Sequence, residues 1–155
     1  MKEQTVVHNT FVIERSFAAT PERVFAAFSD PAKKRRWFGE GRHHELEIFE
    51  TDFRTGGTEK VHYRFGAGTP FPGALLTNEG IYQDIVPGSR IVMAAKMTLK
   101  GACISMSLTT FEFSEKEGGT EMIFTHQGVF YEGSGGPEMR KEGWEGLFGK
   151  LAEIV

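Results

Sequence analysis

Apolar residues recur at helical spacing over one long stretch of the chain, Pro137 to Val155. Trp144, Leu147, Phe148, Leu151, Ile154 and Val155 fall on the i, i+3, i+4, i+7 rhythm of a single helix face, and Glu138, Arg140, Lys141, Glu142, Glu145, Lys150 and Glu153 fill the rest. Pro137 suits a first helical turn entered from Ser134 or Gly136. Five large side chains on that stripe, at ~1.5–3 kcal/mol each when buried, give roughly 8–15 kcal/mol gross as an upper bound. Such a helix needs a partner. Gly143, Gly146 and Gly149 interrupt it, each costing about 1 kcal/mol relative to Ala. They mark either a close approach or open space beside the helix, or simply a weak helix.

Upstream the period is mostly two. Thr5 to Phe17 places Phe11, Ile13 and Phe17 on one parity, with Arg15 among them needing water or an acidic partner. Thr20-Pro21 and Asp30-Pro31 are two helix starts in succession. The first opens a short amphipathic helix carrying Val24, Phe25 and Phe28; the second opens one running through Lys33, Lys34, Arg35 and Arg36 to Trp37 and Phe38, stopped by Gly39. Strands are predicted at Glu45–Phe49, Thr58–Phe65, Gly80–Val86, Arg90–Met97, Ala102–Phe113 and Thr120–Gln127, with a loop over Gly66–Gly73. Within Ala102–Phe113 the parity of Ile104, Met106 and Leu108 disagrees with that of Phe111 and Phe113, which predicts a bulge near Thr109 and Thr110. Strand, two short helices, six strands and a long helix make an α+β fold: an antiparallel meander covered on one face by the terminal helix.

Length bounds this to one domain over residues 1–155, since 155 residues bury about 68–70% of the unfolded surface in a single core. A formal charge of −3 provides no basic field for nucleic acid, and the run Lys33–Arg36 reads as the solvated face of its helix. The single cysteine, Cys103, excludes an internal disulfide framework. With no signal-peptide pattern and no membrane-length apolar run, a cytoplasmic location away from membranes is expected. Phe supplies 14 aromatic residues against 3 Tyr and 2 Trp, so the interior should be greasy.

Few residues suggest chemistry. His43, His44 and Glu45 resemble metal ligands, yet neighbours in an extended chain point to opposite sides and no second spaced pair completes a site, so no metal is expected. His8 and His62 read as surface residues. His126 shares parity with Thr120, Met122 and Phe124 and should look inward, either as a ligand-responsive group or as a core histidine bonded to a carbonyl. Met93, Met97, Met106, Met122 and Met139 lie in elements expected to face the interior, where thioethers either line an adaptable cavity or fill a core. No nucleophile elbow, phosphate loop or dinucleotide fingerprint is present, and no cofactor is expected.

Several segments together carry a resemblance: Phe11–Phe17 leading to Ala19-Thr20-Pro21; Asp30-Pro31 leading to Arg36-Trp37-Phe38-Gly39; Phe53–Gly57; Gly80–Ile85 with Pro87 and Arg90; Gly119–His126; and Gly143-Trp144 with Leu147 and Leu151. In this order they resemble the AHSA1 family, related to the C-terminal domain of the activator of the Hsp90 ATPase, within the SRPBCC (START-like, Bet v 1-like) superfamily. The resemblance implies a helix-grip fold, a curved seven-stranded antiparallel sheet wrapped around the long C-terminal helix, with a cavity between them. The family pattern also implies that Tyr82 faces inward. Asp84, on the same parity, would then need Arg15, Arg54 or His126 as a partner, or else faces water.

Three functions follow. The first is a small cytoplasmic carrier of an apolar or aromatic molecule, lined by Tyr63, Tyr82, Met93, Met106, Met122, Phe124 and His126 on the sheet and Trp144, Leu147, Phe148 and Leu151 on the helix. Trp37 and Phe38 would stand at its mouth or serve as wedges. The second is an Hsp90-type co-chaperone or protein-interaction domain in a stress response, although the chain has no room for the activator's separate N-terminal domain. The third is an enzyme on a small carbonyl or aromatic substrate, with Asp84 and His126 as its acid/base candidates. Either a monomer or a homodimer fits these functions.

Overall fold

In a computed structural model, residues 6–155 of the chain are described. The first strand, β1 (Val7–Phe17), turns Phe11, Ile13 and Phe17 inward as its alternation requires; Thr5 lies outside the described residues. Helix α1 (Pro21–Ser29) starts where the Thr20 hydroxyl accepts from the Arg23 N–H, and α2 (Pro31–Lys34) where Asp30 Oδ1 accepts from the Ala32 N–H at 3.0 Å. The chain then widens into a π-helical turn, Arg35–Gly39, closed by the Glu40 N–H on the Arg35 carbonyl at 2.9 Å.

Six strands follow: β2 (His44–Thr51), β3 (Thr58–Phe65), β4 (Leu75–Val86), β5 (Arg90–Leu99), β6 (Ala102–Lys116) and β7 (Gly119–Phe130). Each pairs antiparallel with the next, and β1 returns to pair with β7, giving the order β1-β7-β6-β5-β4-β3-β2 in one curved sheet. Left-handed residues make the turns tight, glycine in most, as Gly88 at φ 73° between β4 and β5, with Lys100 and Glu117 at φ 53° beside Gly101 and Gly118 in the last two.

Helix α3 (Gly136–Ile154) lies across the inner face with its expected stripe inward. Its C-terminal half is clamped. Phe148 and Leu151 are fully buried, and the Phe148 ring packs 5.1 Å from Phe124, 5.6 Å from Trp144 and 6.4 Å from both Phe111 and Trp37. Its N-terminal half, through Met139, Arg140, Gly143 and Trp144, borders open space.

Two strands depart from simple alternation. In β6 the irregularity lies at Ile104, where Met97 pairs with Ser105 and Thr98 with Cys103, and not near Thr109 and Thr110. From Ser105 onward the strand alternates cleanly, with Ser105, Thr109, Phe111 and Phe113 buried and Met106 and Leu108 exposed. In β4 the pairing skips Gln83, so Tyr82 and Ile85 share the inner face while Asp84 turns out.

The helix glycines are resolved the same way: a Cβ on Gly143, Gly146 or Gly149 would meet nothing within 4 Å, so none of them serves a close approach. Gly146 is exposed in mid-helix, and Gly146→Ala should raise the unfolding free energy by about 0.5–1 kcal/mol, read as a higher urea midpoint at unchanged m-value.

Candidate functional site

The space under the N-terminal half of α3 has two parts. An outer groove of about 440 Å³ is lined by apolar side chains of β3 to β6, by Phe71 of the Gly66–Gly73 loop, and by Met139, Gly143 and Leu147 of the helix. An inner chamber of about 30 Å³, room for a water or two, lies deeper against Phe28, Tyr82, Ile91 and Thr109. Phe38, Asn78, Met97, Arg140 and Trp144 line both, so the groove and the chamber meet at a neck.

One wall of the chamber is a buried polar knot. Lys34 Nζ donates to Glu59 Oε2 at 2.6 Å and to the Tyr82 hydroxyl at 3.2 Å; Tyr82 donates to the same carboxylate oxygen at 2.7 Å, and Thr51 Oγ1 lies 2.9 Å from it and 2.7 Å from the Tyr82 oxygen. Lys34 and Glu59 are 5% and 3% exposed, so the sequence-based placement of Lys34 on a solvated face is corrected. Helical spacing explains it, because Lys34 is three residues before the buried Trp37 and shares its side of the helix. Burial alone would discharge this amine, but Glu59 and then Tyr82 outweigh it and hold the Lys34 pKa above its usual value, while burial pushes the Tyr82 phenol up. The Lys34 ammonium also sits 4.9 Å from the Phe38 ring centroid, tying the knot to the neck. Glu59 was legible too, since it shares the parity of Val61 and Tyr63 on β3.

Across the chamber stands His126, 1% exposed and stacked on Phe11 with ring centroids 4.6 Å apart and on Phe130 at 5.7 Å. Its ring lies over Gly128, where a Cβ would come within 2.8 Å of Cε1. Its Nδ1 has no hydrogen-bond partner, so the expected carbonyl bond is not made through that nitrogen. Desolvation, then the nearby Arg140 charge, lower its pKa to about 4 and keep it neutral.

At the neck, Arg140 Nη2 donates to Ser105 Oγ at 2.8 Å, and the guanidinium carbon lies 5.2 Å from the Phe130 ring centroid. Burial pulls its pKa down, partly offset by Tyr63, whose own phenol burial raises. A guanidinium keeps its proton at neutral pH regardless.

The expected lining residues divide. Trp37, Tyr82, Met93 and His126 reach the chamber, Tyr63 and Leu147 the groove, and Phe38 and Trp144 both. Trp37 is also a wedge, fully buried, its Nε1 donating to the Ala27 carbonyl at 2.8 Å. Met122, Phe124, Phe148 and Leu151 are fully buried in the clamped core and do not reach either space. Met106 is corrected: it is 48% exposed on the opposite face, because the Ile104 bulge reverses the parity on which its inward placement rested. For Asp84 the outward alternative is the one found: its Oδ2 pairs with Arg90 Nε and Nη2 at 2.8 Å, about half exposed, and not with Arg15, Arg54 or His126. Asp84 and His126 therefore share no site. His44, just before the strand predicted from Glu45, begins β2, bonds the Gly39 carbonyl at 2.8 Å, stacks 3.9 Å from Tyr63 and lines the groove. Among the described residues, no group of three or more His, Cys, Asp or Glu side chains is placed to hold a metal, and no helix is long and apolar enough to cross a membrane.

A family model for the activator of Hsp90 ATPase homolog 1-like protein matches residues 18–155. An uncharacterized protein from Rhizobium leguminosarum is 37% identical, with a TM-score of 0.90 over 99% of this chain and 97% of that one. The Mll3558 protein from Rhizobium loti is 38% identical, with a TM-score of 0.84 over 97% and 99%. Protein CV1439 from Chromobacterium violaceum is 27% identical, with a TM-score of 0.78 over 95% and 96%. No curated protein matches.

Two outcomes test this geometry. Lys34→Met leaves the Glu59 carboxylate buried without its cation and should cost about 3–5 kcal/mol in urea unfolding, whereas Lys34→Met combined with Glu59→Gln should cost less than the single change. For His126, the unfolded chain takes up a proton near pH 6.5 and the folded chain only near pH 4. Stability is therefore fully present above that window and declines as pH falls through it, by up to about 3 kcal/mol. The difference between wild type and His126→Gln in unfolding free energy across pH 7 to 4 isolates this contribution.

Proposed function

The chain belongs to the activator of Hsp90 ATPase homolog 1-like family, and we propose that it acts as a binding protein for a small apolar or aromatic molecule held between the sheet and α3. The observation that carries this is the groove of about 440 Å³ opening onto the inner chamber. That volume lies within the range of small-molecule sites, roughly 300–1,000 Å³, and its apolar walls with a few convergent polar groups suit an oriented, mainly hydrophobic ligand.

The parts divide the work. Phe65, Phe71, Leu76 and Leu99 offer apolar surface to the body of the ligand. Trp144, packed 4.6 Å from Phe124 and 5.7 Å from Phe38, is a rigid aromatic platform at the neck. Entry lies between the Gly66–Gly73 loop, where Phe71 is 42% exposed, and the Gly133–Gly135 turn that leads into α3. The polar knot is satisfied within itself and holds α2 and the π-helical turn as the far wall. With Asp84 on the outside, His126 lacks the acid/base partner that the enzymatic alternative requires, which favours binding without turnover.

The test uses N-phenyl-1-naphthylamine, a neutral aromatic probe, followed by energy transfer from Trp37 and Trp144, the only two tryptophans. Saturable binding at one site is expected, with melting temperature rising with probe concentration; at a hundredfold excess over Kd, stabilisation should reach about 2.7 kcal/mol. Gly143→Phe, whose ring has open groove to occupy, should fold and lose at least tenfold in affinity. Unsaturable binding, or binding indifferent to that substitution, would overturn the proposal.

A further inference from the structure

Among the described residues, the two cations that line the chamber, Lys34 and Arg140, are not treated alike. Lys34 has a carboxylate 2.6 Å away, and the ring of donors around Glu59 leaves that charge fully answered. Among the described residues, Arg140 has no carboxylate within ion-pair distance. Its one hydrogen-bond partner is a neutral hydroxyl, Ser105 Oγ, and its flat side rests on an aromatic ring. A guanidinium has five N–H donors in a fork that fits a planar anion. Arg140 is part-buried and none of its nitrogens is both buried and unbonded, so its spare donors stay open to a ligand; covering that charge with an apolar body is costly unless a negative group answers it.

Position says what that is. Arg140 lies at the neck, where the apolar groove meets the chamber. On the chamber side His126, 1% exposed, has Nδ1 without a partner, a second polar group left unanswered in the same space. On the groove side the walls are Phe65, Phe71, Leu76, Leu99, Ile104 and Leu147. One unanswered positive charge at the deep end of an apolar slot matches one kind of molecule.

Building on the binding function above, we propose that the ligand is an amphipathic monoanion, an aromatic or aliphatic carboxylic acid, whose head group sits at Arg140 while its apolar body fills the groove. The head supplies the counter-ion that the chain does not, through the guanidinium fork. Lys34, already neutralised, adds no second positive charge, so a monoanion satisfies the site and a dianion would exceed it.

Two probes share one aromatic body and differ in charge: 1-anilinonaphthalene-8-sulfonate, its sulfonate standing in for the carboxylate, and neutral N-phenyl-1-naphthylamine. Both are read by energy transfer from the tryptophans at the cavity, with Gly143→Phe as the blocked control. Arg140→Met should lower the anion's affinity tenfold or more and leave the neutral probe within about threefold, so the ratio of the two affinities collapses. Arg140→Lys, which retains the charge without the fork, should fall between, and it keeps the test open if the Met variant folds poorly by circular dichroism. If the neutral probe binds at the cavity and the ratio is unmoved in both variants, the anionic head group is overturned while the binding function stands. If neither probe binds saturably to the wild-type chain, both fall together.

Discussion

Phe148 packs among Trp37, Phe111, Phe124 and Trp144 in tilted and edge-on ring contacts that fix the C-terminal half of α3 against β6 and β7. Aromatic pairs of this kind add specificity beyond the area they bury. Because the clamp is at one end, the helix is held as a rigid bar whose other half need not touch the sheet. The N-terminal half, tied to the sheet through Arg140 and Ser105, stands over β3 to β6, and the cavity is the volume it spans. No other element has to be removed or opened to make room.

The polar groups inside that volume fall into two kinds, and the difference is energetic. Lys34, Glu59, Tyr82 and Thr51 satisfy one another, so they cost little to keep and give the wall a single geometry. His126 Nδ1 is left unsatisfied by the chain and carries a standing penalty, and among the described residues the part-buried Arg140 has no carboxylate beside it. A protein that used its interior only for stability would have no reason to combine the two. A closed wall facing an unanswered group is the arrangement expected where recognition takes place.

The sequence displayed the helix stripe, the two capped short helices and the strand order because each is written in local periodicity or capping chemistry. The inward turn of His126 was visible for the same reason, whereas that of Tyr82 came from the family resemblance. Met106 was misplaced, and the two placements of Asp84 stayed open, because a bulge moves every later side chain to the other face, and neither Ile104 nor Gln83 carries a residue type that announces one. The assumption that methionine and leucine go in while serine and threonine go out also fails beside a cavity, where Ser107 and Thr109 face the hollow and Met106 and Leu108 face water. Lys34 and Arg140 were hidden differently. A cation on an amphipathic helix is usually solvated; spacing to Trp37 marks the side that Lys34 shares, but only the placement of Glu59 shows why the charge is kept there, and only the tertiary fold sets the part-exposed Arg140 at the neck.

The pairing of the first strand with the last has a kinetic side. Every other neighbour in the sheet is joined by a short connection, but β1 meets β7 through residues roughly a hundred positions apart, as in Phe17 with Thr120. Closing a loop of that length must be settled before its contacts return anything, which places this seam among the slow, high-contact-order events in the folding of the chain. Phe11, the ring on which His126 stacks, belongs to that seam. The chamber floor is therefore complete only once the two ends of the sheet have found each other.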